Sequence, residues 1–154
     1  MDYFFSDNID LDVLIIAVSI KAFEKVISLI DWHDLITKIP DLLIVDVLSV
    51  KQHPKEVLLK YIPKEYDLLC THPMYGPESA KYSHQNLPFM YDCIRITKKE
   101  RCSIFLQFFK DKGCRMVSLS CKLHDEYAAQ SQFLCHTTGR LLSKVVGETP
   151  STPI

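Results

Sequence analysis

Three short, almost unbroken apolar runs constrain this chain most: DVLIIAVS at 12–19, LLIVDVL at 42–48 and YDLLCT at 66–71. Runs of this kind read as strands buried on both faces, as in a parallel sheet. Between the first two, Ala22, Phe23, Val26, Ile27 and Ile30 recur at helical spacing and predict a helix over 21–30. A second helix is expected over 51–62, with Pro54 tolerated in its first turn. The stretch 72–88 is rich in Pro, Gly, Ser and Asn and reads as a loop, after which 89–96 alternates as a fourth strand. The amphipathic stretch 98–112 predicts a helix with Gly113 as its C′ residue. A fifth strand over 114–119 follows, and Ser120 then stands at the N-cap of a long helix from about Cys121 to Val145. The Pro-rich stretch 147–154 reads as irregular. Strands alternating with helices in this order predict an α/β sheet with parallel pairing.

Composition narrows the function classes. The formal net charge is −1, with no block of like charge, which points away from nucleic acid and anionic membranes as partners. No apolar run approaches the roughly 20 residues that cross a bilayer. The first eight residues carry two acids and no base, unlike a secretory or transit segment, so the chain as given reads as cytosolic. Six cysteines contain no CxxC and no zinc-finger spacing with His, and read as reduced thiols without a metal role. Only four glycines occur, and no two are close enough for GxGxxG or a P-loop.

Functional groups of open α/β sheets gather at the carboxyl ends of strands. Ser19, the stretch 46–51 (DVLSVK) and the stretch 71–79 (THPMYGPES) fall there. A His directly after a buried strand and pinned by a Pro suits a general base, since imidazole titrates near neutrality. His72 is that residue, and Ser49, ending the neighbouring strand, is placed to hold its second ring nitrogen. Gln132 and His136 share a helix face and can both hydrogen-bond a polar ligand. By residue type alone, a structural or exposed His72, a turn or cap Ser49 and a solvated Gln132/His136 face are the more common readings. His33, His53 and His84 take no role, and His124-Asp125 reads as a capping or helix-dipole feature.

VDVLSVK, then THPMYGPES, then CRMVSLSC through LHDEYAAQSQFLCHTTGR resemble the arogenate/prephenate dehydrogenase (TyrA) family, most closely its plant-type arogenate dehydrogenases. The similarity runs from FFSD to the final STPI. It implies an oxidative decarboxylation of arogenate or prephenate in tyrosine biosynthesis, with NADP or NAD as hydride acceptor. It implies His72 as catalytic base, Ser49 as the residue positioning it, Gln132 and His136 as substrate-binding, and Ser19 beside the cofactor. It also implies a division at about residue 120: 1–120 as the second half of a Rossmann-like cofactor domain, and 121–154 as the start of a helical substrate and dimerisation domain. A longer N-terminus would imply a plastid location.

Against that pattern, the sequence shows no glycine-rich phosphate turn and stops before the family's helical domain. The expectation is a partial Rossmann-like fold followed by a long helix, not expected to bind NADP or NAD tightly by itself. A catalytically inactive remnant acting as an interaction module is the alternative. The unguarded run 12–19 would form a sheet edge, and Phe133, Leu134, Leu141, Leu142 and Val145 would lack cover. Self-association, or pairing with a related dehydrogenase, is the expected consequence.

Overall fold

The computed structural model describes residues 11–147, apart from the side chains of Gln132 and Phe133; most of the expected irregular C-terminal stretch lies outside the described residues. Five strands form one sheet in the order β1-β2-β3-β4-β5: β1 (Val13–Ile16), β2 (Leu43–Asp46), β3 (Asp67–Pro73), β4 (Pro88–Arg95) and β5 (Arg115–Ser118). The helices are α1 (Ile20–Leu29), α2 (Trp32–Lys38), α3 (Gln52–Tyr61), α4 (Lys99–Asp111) and α5 (Cys121–Gly147).

Each apolar run became a strand because its alternate side chains serve two cores. Ile44 of β2 and Leu68 and Cys70 of β3 point into one core with Phe23, Ile27, Val57 and Leu58 from α1 and α3. Leu43, Val45 and Leu69 point to the other face, against Cys102, Phe105 and Leu106 of α4. This alternation sets the site's geometry: His72 follows Leu68 and Cys70 at steps of two, so it belongs to the α1/α3 face.

Two features depart from the expected pattern. The segment after α1 contains α2, which had not been anticipated. Asp31 caps it by accepting the Asp34 amide at 3.0 Å, and Trp32 and Leu35 bury into the first core. The second departure is pairing. β1-β2, β2-β3 and β4-β5 are parallel, but β3-β4 is antiparallel, with Thr71 opposite Tyr91 and His72 opposite Met90. Parallel neighbours need a crossover helix, and the chain between β3 and β4 has only a turn-rich loop, closed by Met74 N–H donating to the Pro88 carbonyl at 3.0 Å. Direction reverses there, and the sheet is mostly rather than wholly parallel.

Gly113 does sit at the end of α4, with φ +85°, where a Cβ would meet the Gln85 side chain at 2.1 Å. Ser120 does begin α5, accepting the His124 amide through its carbonyl at 2.9 Å. Cys121 is buried in the first core, while every described side chain from Ala129 to Val146 is exposed. Among the described residues, burial of α5 side chains is confined to its first turns. Among the described residues β1 has β2 as its one neighbour, and Ile15 is 49% exposed. Within the described residues, β1 stands at the sheet edge as expected.

Candidate active site

The carboxyl ends of β2 and β3 carry a dense group of buried polar side chains. Lys51 is fully buried between the two strand ends, where its ammonium donates to the Asp46 carboxylate and to the Thr71 carbonyl. The Thr71 hydroxyl returns a hydrogen bond to the Asp46 carbonyl at 2.7 Å. Burial pushes the Asp46 carboxyl above its usual range, and Lys51 opposes that push. This pair ties the β2 end to the β3 end one residue before His72.

His72 is 9% exposed. Its Nδ1 lies 2.9 Å from Nε2 of His124 on α5, the rings meeting edge to face at 5.1 Å between centroids. His124, 2% exposed, places its own Nδ1 2.8 Å from Asp125 Oδ1. The Asp125 carboxylate also accepts the backbone amides of Lys51 at 2.9 Å and Gln52 at 2.8 Å. Burial raises Asp125, but those amides and His124 outweigh it, and the net shift is downward. Burial lowers His72 to about 4, helped by His124 and Lys51 and opposed by Asp125. His72 is thus a neutral imidazole at physiological pH. Its Nε2 makes no hydrogen bond to any described residue.

Placed against expectation, His72 stands where the sequence put it, at the end of β3. Ser49 and Ser19 both reach the same edge: they line a cavity of about 390 Å³ between the turns after β1 and β2, with Ala17, Val18 and Leu48. The structure shows no hydrogen bond from Ser49 to the His72 ring, whose Nδ1 faces His124. Gln132 and His136 lie further along α5, one turn apart, with His136 exposed. Sequence reasoning included Lys51 in the stretch 46–51 without giving it a role, and missed His124 and Asp125 as members of this group. His124-Asp125 was read as a local cap, whereas the carboxylate caps the start of a different helix, α3.

Among the described residues no cluster of three or more His, Cys, Asp or Glu could hold a metal ion, and no helix is long and apolar enough to cross a membrane. A mostly parallel α/β sheet with polar side chains gathered at its carboxyl edge is the architecture of the nucleotide-binding α/β class. The family model for the nucleotide-binding domain of prephenate dehydrogenase matches residues 5–118. The chain is 49% identical to arogenate dehydrogenase 2, chloroplastic, of Arabidopsis thaliana over 147 residues, covering 93% of this chain and 40% of that protein. It is 46% identical to arogenate dehydrogenase 1, chloroplastic, of the same plant, covering 98% of this chain and 24% of the relative. The fold matches a solved prephenate dehydrogenase from Aquifex aeolicus, in complex with hydroxyphenyl propionate and NAD+, with TM-score 0.63 and 18% identity, over 91% of this chain and 49% of that one. The chain belongs to the arogenate/prephenate dehydrogenase family, and spans less than half the length of these curated relatives.

Proposed function

We propose that these residues supply the proton-handling half of an arogenate or prephenate dehydrogenase active site. The observation that carries this reading is His72: a buried, neutral imidazole at a strand end, with one ring nitrogen held inside the chain and the other left for a ligand. Its Nε2 accepts the proton of the substrate's ring hydroxyl as that carbon is oxidised. The ring carboxylate leaves as carbon dioxide, its bond electrons restore aromaticity, and the oxygen regains a proton as the phenol forms. Aromatisation drives the chemistry, so the protein's share is orientation and one proton.

Ser49 stands on the same edge, free to hydrogen-bond the ligand near His72. Gln132 and His136, on one side of α5, are assigned to the far end of the substrate. Residues 121–147 then begin the second, substrate-binding domain, which accounts for a helix whose described side chains are exposed from Ala129 to Val146. A nicotinamide dinucleotide, when bound, supplies the hydride acceptor. The cavity between Ser19 and Ser49, lined by hydroxyls, backbone and apolar side chains, is assigned to the nicotinamide end. The described residues contain no glycine-rich turn for a pyrophosphate. Tight dinucleotide binding by these residues alone is therefore not expected. The exposed β1 edge supports self-association or pairing with a related dehydrogenase, and the chloroplast relatives support a plastid location.

The test is a chimaera in which residues 11–147 replace the matching segment of a full-length arogenate dehydrogenase. Reduction of NADP or NAD on adding arogenate or prephenate, within about tenfold of the parent, is expected. His72→Ala in that chimaera should lower turnover by roughly 10²–10⁴, the range for loss of a general base. A folded chimaera that His72→Ala leaves unchanged sinks the reading.

A further inference from the structure

We propose that His124 and Asp125 form a positioning pair that holds His72 in the one tautomer, Nδ1 protonated and Nε2 bare, in which it can take a substrate proton. The inference rests on the reading of His72 as the base and adds the residues that set its protonation pattern.

With both rings neutral, the hydrogen-bond pattern leaves one consistent assignment. Asp125 is ionised and can only accept. It takes three N–H groups: the Lys51 and Gln52 amides and the Nδ1 of His124. His124 therefore carries its proton on Nδ1. In a neutral ring the other nitrogen is then an acceptor, so His124 Nε2 accepts. The group facing it at 2.9 Å is Nδ1 of His72, which must donate. A neutral His72 that donates from Nδ1 has its lone pair on Nε2, the nitrogen no described residue engages. The carboxylate that starts this chain is fixed by two backbone amides at the α3 start, so it cannot rotate away without breaking both.

The arrangement also serves the charged state. A proton arriving on Nε2 makes His72 cationic while Nδ1–H already points at His124. The nearest anion along that line is Asp125, reached through one imidazole. Asp46, a fully buried acid at the end of β2, is engaged by Lys51. Deleting the orienting group of such a chain lets the ring adopt the wrong tautomer, which places a hydrogen where the substrate hydroxyl needs a lone pair.

Glutamine separates orientation from bulk. In His124→Gln the side-chain carbonyl can still accept from His72 and its amide can still donate to Asp125; His124→Phe keeps the volume and removes both contacts. The direct measurement is the long-range ¹H–¹⁵N spectrum of the histidine rings in the whole 154-residue chain at neutral pH. His72 and His124 should both carry their proton on Nδ1. His124→Phe should shift His72 toward the Nε2-protonated form, and His124→Gln should not. Should the isolated chain prove unfolded, the labelled chimaera gives the same spectrum. A wild-type His72 protonated on Nε2 overturns the proposal, whatever the enzyme's activity.

Turnover supplies the second arm. In the chimaera, His124→Phe should lower kcat by roughly 10- to 100-fold with little change in KM, part of the range for general-base function, and His124→Gln should recover most of it. Equal damage by both substitutions would mark His124 as merely structural and end the proposal. If the tautomers are as stated but His72→Ala leaves turnover intact, the dehydrogenase reading of His72 fails while the positioning pair stands.

Discussion

The two ends of the candidate site are built differently. At the carboxyl edge of β2 and β3, each of Lys51, Thr71, His72, His124 and Asp125 is buried or half-buried and has a partner inside the chain. Along the distal part of α5, Leu134, Leu141 and Leu142 are 61%, 60% and 58% exposed, and His136 stands among them in solvent. The first region is finished by contacts within these residues; in the second, the described side chains, His136 included, are exposed. The division suits the chemistry. Proton transfer needs a base fixed to a fraction of an ångström before anything binds. Recognition of the rest of the substrate can wait for surfaces brought by another part of the protein.

The strongest way to break this comparison is to remove Lys51. Lys51→Met leaves the Asp46 carboxylate buried without its cation, and one Asp46 oxygen already has no hydrogen-bond partner among the described residues. Removing one member of a buried ion pair typically costs about 3–5 kcal/mol, and chemical denaturation of the 154-residue chain should show a loss of that order. Burial raises the Asp46 pKa in the folded state, so the mutant's carboxyl protonates more readily than in the unfolded chain. Such a group contributes stability at low pH that is lost as pH rises through its folded pKa. The penalty should therefore be larger at pH 8 than at pH 5, and smaller in Asp46→Asn/Lys51→Met. A loss under about 1 kcal/mol at pH 8 would mean that the strand ends are not held by this pair.

A smaller effect follows from His72. Its folded pKa of about 4 lies below the ordinary value of 6.5, because burial penalises the cation. The unfolded chain binds the proton first, so stability is complete above about pH 6.5 and falls as pH drops toward 4. The shift corresponds to an upper bound of roughly 3 kcal/mol at 1.36 kcal/mol per pKa step. Unfolding free energies measured at pH 7 and pH 4.5 should differ more in the wild type than in His72→Gln. Equal differences would show that His72 protonates without penalty and that the edge is wetter than its burial implies.

What could be read in advance follows the same division. Strands and helices were legible because their signals are local: apolar runs for β1, β2 and β3, helical spacing for α1 and α4, a serine before α5. The seven-residue α2 was not, since so short a helix carries barely two turns of pattern and depends on Asp31 as cap and on Trp32 finding the core. The reversal at β4 is signalled only by a helix that is absent. His72 was found from its position after an apolar run and from the family motif. Its partner was not, because His124 lies 52 residues away and its neighbour Asp125 caps amides 73 and 74 residues distant. A His-Asp dipeptide near a helix start has a sufficient local explanation, and only the way α5 settles over the ends of β2 and β3 reveals the distant one. Lys51 was read with its strand end and helix start; nothing in a single lysine shows that it will be buried.

The smallest expected effect sharpens the contrast best, because it should be nearly nothing in one setting and large in another. Leu141→Ser and Leu142→Ser alter side chains that are 60% and 58% exposed in this chain. Surface substitutions of this kind usually change stability by no more than about 0.5 kcal/mol, and that is the expectation for the isolated chain. If α5 opens the second domain, the same leucines become core residues in the full-length chimaera, where truncating a buried leucine typically costs about 2–5 kcal/mol. Thermal unfolding of the four proteins, single variants in the chain and in the chimaera, reads the difference directly. A large loss in both settings would mean that the distal helix already packs against something within these 154 residues. A negligible loss in both would leave α5 a solvated helix with no second domain to enter, and Gln132 and His136 would then have no pocket to line. The outcome that agrees with the proposed function is the asymmetric one, in which α5 leads from the edge that carries His72 into a second domain.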